Sequence, residues 1–227
     1  METLSIRCPE AAGWTQPGCG DGCNLLPYHL LGKKVIGCDY DEASLEAGRR
    51  SGIRLVRGGT EELLKSEIKA DLVIILSHVL EHFIDVDAEL RRIEDILREG
   101  GYVYIEVPGI RNLNRPRSQV LSEDGFRSTN DFLGYLQFQH NYHFELHTLK
   151  RFFERQSFQF ITGDEWIRAI FRYVGKPGAS VGAEDYRSNS DIMDHLKAVE
   201  KDYQSIKNKI IIGGKTALPR LKNLISI

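Results

Sequence analysis

The chain has 227 residues, of which 41% are hydrophobic and 27% are charged, and its formal net charge at pH 7 is −2. This length and composition fit a single globular domain with an appendage. The near-neutral charge gives no general attraction to nucleic acid or to an anionic membrane surface, and no apolar run approaches the roughly 20 residues that a membrane span needs. Since the sequence also lacks a secretory apolar segment, we predict a cytoplasmic protein.

The first predicted element is a glycine-rich loop that opens a helix. Residues 18–22 read Gly-Cys-Gly-Asp-Gly, and a helical run to Leu31 follows them. Glycines let the backbone turn tightly and approach a ligand without interference from Cβ, and the helix directs unpaired N–H groups toward that ligand. Asp21 would repel a pyrophosphate. The loop therefore favours a nucleoside without phosphates, such as S-adenosylmethionine (SAM).

The next element is an apolar strand over residues 33–38, which ends at Asp39. An acid at the tip of this strand, 17 residues after Gly22, can accept hydrogen bonds from both hydroxyls of a ribose. The loop and this acid together predict a nucleoside pocket.

All four cysteines fall within the first 38 residues: Cys8, Cys19, Cys23 and Cys38. Only Cys19 and Cys23 have a spacing suited to a shared zinc ion. A simpler interpretation is that Cys19 fills the space between two glycines and that Cys38 is a small buried residue at a strand end. We therefore predict no metal site.

Beyond Asp39 the pattern alternates between strands and helices. The predicted elements are a strand at 53–57, a helix that opens at 58–62, a buried strand at 71–76, a helix at about 86–98, a stop at the glycine pair 100–101 and a strand at 102–107. Continuous apolar runs suit strands that are buried on both faces, and this alternation gives a parallel sheet with right-handed crossovers. The sequence predicts a doubly wound α/β fold.

These motifs resemble the class I SAM-dependent methyltransferases, in particular a broad group with a VLEHF signature. The matching segments are V-L-E-H-F at 79–83, E-L-R-R-I-E-D-I-L-R-E-G-G at 89–101 and Y-V-Y-I-E-V-P at 102–108. Together with the glycine loop and V-I-G-C-D at 35–39, the match covers about residues 14–108 in the right order. The resemblance implies a Rossmann-like methyltransferase fold with a mostly parallel, seven-stranded-type sheet.

The resemblance also implies a set of SAM-binding residues at the carboxyl ends of parallel strands, where open α/β sheets bind ligands. The glycines would cradle the methionine and ribose, Asp39 would bind the ribose hydroxyls, and Tyr40 would lie along the adenine. The turn after the third strand would contact the adenine edge, and the turn after the fourth would face the sulfonium. The predicted set is Gly18, Cys19, Gly20, Gly22, Asp39, Tyr40, Thr60, Glu61, Ser77 and His78.

One segment departs from the family pattern. The family has an acid two residues before the first glycine, where this chain has Gln16, an amide that can accept a hydrogen bond from the SAM amino group but brings no charge. Pro17 removes an N–H donor from what should be a central strand, where proline is normally excluded. Residues 1–17 are interpreted as an altered or truncated beginning. An alternative function follows: a SAM-binding or degenerate methyltransferase-like partner protein without turnover.

Residues 109–139 are predicted to form a substrate lid, because long loops in compact domains usually cover or bind ligands. Arginines in this segment could meet a phosphate or carboxylate of the acceptor, and a solvated loop over a small aromatic cluster is the equal alternative. His140 and His143 follow the lid. Histidine is a suitable base for a hydroxyl, so these two are the candidate catalytic residues, with a packing role as the alternative.

The remaining chain is predicted as a linker at 175–182 and a helical tail at 183–227, after a methyltransferase domain at 1–174. The tail has a narrow apolar seam with alternating steps of four and three, which is typical of a coiled coil. This predicts pairing with a second copy or a partner protein, or docking across the sheet. The seam residues are Ile192, Leu196, Val199, Tyr203, Ile206 and Ile210.

The motifs together predict an enzyme that transfers a methyl group from SAM to a small-molecule or glycan acceptor, at a hydroxyl oxygen. Nitrogen and carbon acceptors stay open. An NAD-linked reductase is disfavoured by Asp21 and by the lack of a Tyr-x-x-x-Lys pair after the fourth strand.

Overall fold

The computed structural model describes residues 13–66, 70–110, 139–175 and 187–204. The chain divides into two compact units, one of residues 1–109 and 141–182 and the other of residues 110–140 and 183–227. Each unit is described by itself below. Nearly all of the predicted lid, most of the predicted linker and the end of the tail lie outside the described residues, so the predicted domain boundaries stay predictions.

The first unit is built on a seven-stranded sheet. Its strands are β1 (Gly13–Pro17), β2 (Lys34–Asp39), β3 (Leu55–Arg57), β4 (Ala70–Ser77), β5 (Leu97–Glu106), β6 (Phe158–Gly163) and β7 (Arg168–Tyr173). Their order is β3-β2-β1-β4-β5-β7-β6, with β1 to β5 parallel and β7 antiparallel to both neighbours. This confirms the predicted α/β fold. The strand order reverses between β1 and β4, which is where open α/β sheets bind ligands.

Helices follow the strands as the alternating pattern predicts. The described helices of this unit are α1 (Leu26–Leu30), α2 (Glu42–Arg49), α3 (Thr60–Lys65), α4 (Val86–Ile96) and α5 (Leu146–Glu154), with a short 3-10 turn at Leu80–His82. Asp41 and Asp85 begin α2 and α4, and each side chain accepts a hydrogen bond from a backbone N–H of the first turn. These caps fix where the two helices start after their strands.

The core that supports the sheet is apolar on both sides of the fold. On one side, α4 buries Val86, Leu90 and Ile93, spaced four and three residues apart as an amphipathic helix requires. Phe153 of α5 stacks on Phe171 of β7 with 4.4 Å between ring centroids. Fully burying one such side chain contributes about 1.5–3 kcal/mol. This packing holds the strand ends, and therefore the site described below, in place.

Two local predictions differ from the structure. The pair 100–101 was expected to stop the preceding helix, but α4 already ends at Ile96 and β5 begins at Leu97. Leu97 pairs with Ala70 across a register shift, and Gly100 has a φ of +85° within the strand, a conformation that favours glycine. Gly100 therefore allows an irregular backbone within β5 and does not mark the end of a helix.

Pro17 does not interrupt the central strand, because it is the last residue of β1. The register of β1 with β4 is set by Trp14 and Thr15, before the proline is reached. The loss of one N–H is tolerated at this position, where the strand gives way to the glycine loop.

The second unit includes helix α6 (Arg187–Gln204), in the segment predicted as a helical tail. Ile192 and Leu196 of the predicted seam are half-buried on this helix, and Met193 beside them is exposed. Val199 and Tyr203 are also on α6, whereas Ile206 and Ile210 lie outside the described residues. Pairing through this seam stays a prediction.

Candidate active site at the carboxyl edge of the sheet

The glycine loop at the end of β1 has a backbone that only glycine adopts readily. Gly18, Gly20 and Gly22 have φ values of +59°, +53° and +75°. A Cβ added at Gly18 would lie 2.6 Å from Cγ2 of Val79, so the loop lies directly against the turn that follows β4. The glycine loop therefore closes one wall of the crevice at the point where the strand order reverses.

Asp39 joins the tip of β2 to this loop. One carboxylate oxygen accepts from the backbone N–H of Gly20 at 2.8 Å, and the other accepts from that of Asp41 at 2.9 Å. A carboxylate has about four acceptor positions, so each oxygen can accept a further hydrogen bond. The acid therefore has two separate capacities: it orders the glycine loop and it can bind a diol.

The adenine side of the predicted site is built around Glu61. The Tyr40 ring is 70% exposed, and its hydroxyl donates to Glu61 Oε1 at 3.5 Å. The pKa of Glu61 lies below its ordinary value, because its carboxylate accepts hydrogen bonds from its own backbone N–H and from that of Gly59. The positive charge of Arg92 adds to this effect. Tyr40 is thus exposed, while its hydroxyl is held by Glu61. An exposed aromatic ring held in this way can stack on the face of a purine.

Thr60 is placed differently from the other predicted contacts. Its side chain is buried, and its hydroxyl donates to the Glu89 carboxylate of α4. The side chain therefore ties α3 to α4, and the predicted cofactor contact of Thr60 would have to come from its backbone. The sequence reasoning had no means of finding this partner, which lies 29 residues further along the chain.

Cys19 lies between the glycines with its thiol turned inward. The side chain is buried, and burial followed by the charge of Asp39 raises the pKa of this thiol to about 12. Burial also raises the pKa of Cys38, and Cys23 is exposed. The interpretation of Cys19 and Cys38 as small buried residues agrees with this placement.

Ser77 and His78 lie at the end of β4, where the sulfonium of the cofactor was predicted. The backbone N–H of His78 donates to the carbonyl of Glu106, the last residue of β5, at 2.7 Å. His78 has a φ of +55° and a side chain that is 61% exposed. A non-glycine residue in this conformation costs about 1–3 kcal/mol and is enriched at functional sites. The structure therefore holds this imidazole at the sheet edge against a conformational cost.

Sequence reasoning missed Glu81, which lies directly behind His78. Its side chain is 1% exposed, and neither carboxylate oxygen has a hydrogen-bond donor among the described residues. Oε1 lies 3.5 Å from Nδ1 of His78 and 4.0 Å from Nε2 of His82. The V-L-E-H-F motif was the available signal, but its residues were used only to identify a family.

The segment after the predicted lid is anchored to this same turn. The backbone N–H of Asn141 donates to the carbonyl of Glu81 at 2.8 Å, and its side-chain amide donates to the carbonyls of His82 and Phe83 at 3.0 and 3.1 Å. Tyr142 adds a hydrogen bond from its hydroxyl to the carbonyl of Ile84. These contacts fix the turn that carries Glu81.

Of the two predicted catalytic histidines, His143 lies in this anchored segment. Its side chain is half-buried, next to Phe144, which bridges to Gly109 beyond β5. His140 belongs to the second compact unit. The catalytic roles of both stay predictions.

Gln16, at the position of the missing acid, is a buried residue of β1. Its side chain is 2% exposed, and Oε1 has no hydrogen-bond donor among the residues that the structure describes. The oxygen is a ready acceptor at the start of the glycine loop. It fits an ammonium group of a ligand, which is the role expected for this position.

The chain belongs to the methyltransferase domain family. A family model described as a methyltransferase domain matches residues 16–162, well over half of the chain. The predicted methyltransferase family is thereby confirmed. The match begins at Gln16 and spans the glycine loop, Asp39 and the turn after β4.

Curated relatives share part of this domain. Ubiquinone biosynthesis O-methyltransferases from Chelativorans sp. strain BNC1 and Rhodopseudomonas palustris strain BisB18 are each 29% identical, over 93 and 106 residues. The matches cover 39% and 44% of this chain and 37% and 41% of those relatives. The chain thus spans less than half of the length of the curated relatives that it matches.

Solved structures share the fold at lower identity. A SAM-dependent methyltransferase from Methanosarcina mazei has a TM-score of 0.52 at 14% identity, over 74% of this chain and 95% of that one. The plantazolicin methyltransferase BamL, solved with S-adenosylhomocysteine (SAH), has a TM-score of 0.52 at 15% identity, over 88% of this chain and 74% of that one. At these identities the likeness shows the fold.

Among the described helices, none combines the length and apolarity needed to cross a membrane.

Proposed function

We propose that this chain transfers the methyl group of SAM to a hydroxyl oxygen of a small-molecule or glycan acceptor. The observation that carries the proposal is the hydrogen bond from the Gly20 N–H to the Asp39 carboxylate at 2.8 Å. It joins the two predicted nucleoside-binding elements at the edge of the sheet where parallel strands end. The predicted cytoplasmic location and the absence of nucleic acid among its partners belong to this proposal.

An oxygen acceptor is supported by the names of the curated relatives, which are O-methyltransferases. Methyl transfer requires the acceptor to lie in line with the sulfonium and to lose its proton. His143 and His140 are our candidates for the group that takes this proton. In the turn after β4, the side chains of His78 and Ile84 are exposed at this edge of the sheet.

The proposal is tested by SAH release from SAM over a panel of hydroxylated acceptors: simple phenols, free sugars and nucleotide sugars. Mass spectrometry would detect a product 14 Da heavier per methyl group, and NMR would assign it as O-, N- or C-methyl. Gly18→Val serves as the inactive control, because its Cβ would meet Val79 at 2.6 Å in the wall of the predicted cofactor crevice. A C-methyl or N-methyl product would contradict the oxygen assignment.

The alternative is a SAM-binding partner protein without turnover. It was suggested by Gln16 and Pro17, and β1 forms in the described structure with both residues in place. Calorimetry with SAH separates the two functions: tight binding without SAH release over the whole acceptor panel would favour the partner protein.

A further inference from the structure

Glu81 is an unusual carboxylate because it is buried without a close hydrogen-bond donor. Both oxygens lack a donor among the described residues, and the side chain is 1% exposed. A buried carboxylate is stable in its charged form only where a positive group compensates it. A neighbouring side chain that can take up a proton would therefore be stabilised by Glu81 in its protonated state.

The imidazole of His78 is placed to receive this stabilisation. Its Nδ1 lies 3.5 Å from Oε1 of Glu81, while Nε2 of His82 lies 4.0 Å from the same oxygen. Catalytic hydrogen bonds are often longer than the usual length of about 2.7–3.2 Å when no substrate is bound, and they tighten in the complex. Because Nδ1 of His78 faces the carboxylate, Nε2 lies on the opposite side of a ring that is 61% exposed. This second nitrogen can therefore meet a molecule outside the turn.

The backbone holds His78 at the carboxyl end of β4, beside the glycine loop. Its N–H donates to the carbonyl of Glu106 at 2.7 Å, and its φ of +55° is a strained conformation of the kind that clusters at functional sites. The next residue, Val79, lies against the loop, since a Cβ on Gly18 would be 2.6 Å from its Cγ2. The imidazole is therefore positioned next to the crevice where the strand order reverses.

Glu81 is itself fixed from a distant part of the chain. The backbone N–H of Asn141 donates to the carbonyl of Glu81 at 2.8 Å, and its side-chain amide donates to the carbonyls of His82 and Phe83. A base that is oriented by a third group, itself held in place, is the arrangement that proton transfer requires. The carboxylate is thus ordered before any acceptor binds.

We propose that His78 takes the proton of the acceptor hydroxyl through Nε2, and that Glu81 positions its imidazole and stabilises the imidazolium that forms. The inference rests on the proposed function and assigns the proton to a different imidazole from those of His140 and His143. As Nε2 takes the proton, the acceptor oxygen forms its bond to the SAM methyl carbon. The carbon–sulfur bond breaks with its electron pair left on sulfur, which gives SAH. The imidazolium then releases its proton to solvent.

The first test identifies the tautomer of His78 in the full chain and needs no acceptor. Long-range ¹H–¹⁵N NMR spectra of the ¹⁵N-labelled protein distinguish the two nitrogens of each neutral imidazole, and the signals lost in His78→Asn identify this residue. We expect the proton on Nδ1 and the lone pair on Nε2, because the hydrogen bond of one nitrogen decides which nitrogen is protonated. Glu81→Leu should shift the proton toward Nε2, whereas His82→Asn, the matched control, should leave it on Nδ1.

The second test measures turnover with an acceptor of the panel above that gives an O-methyl product. His78→Asn should lower kcat about 100-fold or more, and Glu81→Leu about 10-fold or more, because the base is then absent or no longer oriented. The KM for the acceptor and the SAH affinity should change little in both variants, and Glu81→Asp should retain more of kcat than Glu81→Leu. His82→Asn changes the other imidazole near the same oxygen and should keep kcat within about twofold. Circular dichroism and SAH calorimetry on each variant establish that it is folded.

The outcomes separate this inference from the proposed function. A proton on Nε2 of His78 in the unmodified chain would overturn the inference even if the enzyme turns over, since that nitrogen would then have no lone pair for the acceptor proton. An Nδ1 proton that depends on Glu81 would support the pairing of the two side chains even if no acceptor in the panel is methylated. Where an acceptor is methylated, unchanged kcat in the folded His78→Asn variant, or an equal loss in His82→Asn, would overturn the role of His78.

Discussion

Asp39→Asn is expected to weaken SAH binding about 30- to 150-fold while the sheet stays folded. Charge-assisted hydrogen bonds contribute about 1.5–3 kcal/mol and neutral ones about 0.5–1.5 kcal/mol, so removing the charge costs about 1–1.5 kcal/mol per ribose hydroxyl. Two hydroxyls give about 2–3 kcal/mol, which corresponds to this change in Kd. The backbone N–H groups of Gly20 and Asp41 each use one oxygen of the same carboxylate, so the amide of Asn can satisfy only one of them.

The assay is isothermal titration calorimetry with SAH, accompanied by thermal denaturation of each variant. Asp41→Asn is the matched control: it makes the same charge change two residues later, where the side chain accepts from Ala43 and Ser44 at the start of α2. Its SAH affinity should stay within about twofold of the wild type, since it faces its own helix. Unchanged binding by Asp39→Asn, or equal weakening by Asp41→Asn, would refute the assignment of the ribose to Asp39.

Three further results are expected. If His143 or His140 takes the proton, the alanine variant should lower kcat about 100-fold or more with little change in SAH affinity, and unchanged turnover in both would make these residues structural. Iodoacetamide at pH 8 should label Cys23 and spare Cys19 in the folded protein. The pKa of Cys19 is raised from 9.0 to about 12, which lowers its thiolate fraction by a factor of about 1,000. Labelling of Cys19 should therefore grow only as the pH rises, and peptide mass spectrometry can follow it. If the tail pairs with a second copy, light scattering should show a dimer that becomes a folded monomer when the chain ends near Gly178, and a monomer in both forms would exclude self-pairing through the tail.

The order of β2 to β5 along the chain could be predicted because parallel strands buried on both faces leave continuous apolar runs. The antiparallel strands β6 and β7 were not predicted. The helix over Val86–Ile96 was also visible in sequence, since its buried residues recur with helical spacing after a capping acid at Asp85. The position at which this helix ends could not be predicted as well. Leu97 pairs with Ala70 of the neighbouring strand, and that pairing begins β5 before the glycine pair that looks like the boundary.

The polar contacts of the site could not be predicted in the same way. Thr60 looks like a turn residue that faces a ligand, yet Glu89 of α4 takes its hydroxyl. Asn141 orders the turn at residues 81–83 from almost 60 positions away. Hydrophobic periodicity says which face of an element is buried, but it does not say which polar groups will meet, because that depends on how two elements pack.

Gln16 shows how a departure from a family pattern can be reconciled with binding. A carboxylate buried at this position would carry a charge that needs compensation, whereas the amide is neutral and costs less to bury. Its Oε1 has no donor among the described residues, so that part of the protein leaves an acceptor unsatisfied inside β1. A buried orphan acceptor costs free energy that a ligand ammonium group would recover on binding. Together with a β1 that accommodates Pro17 at its last position, this argues for a cofactor pocket with a weaker electrostatic attraction, and against a degenerate remnant of one.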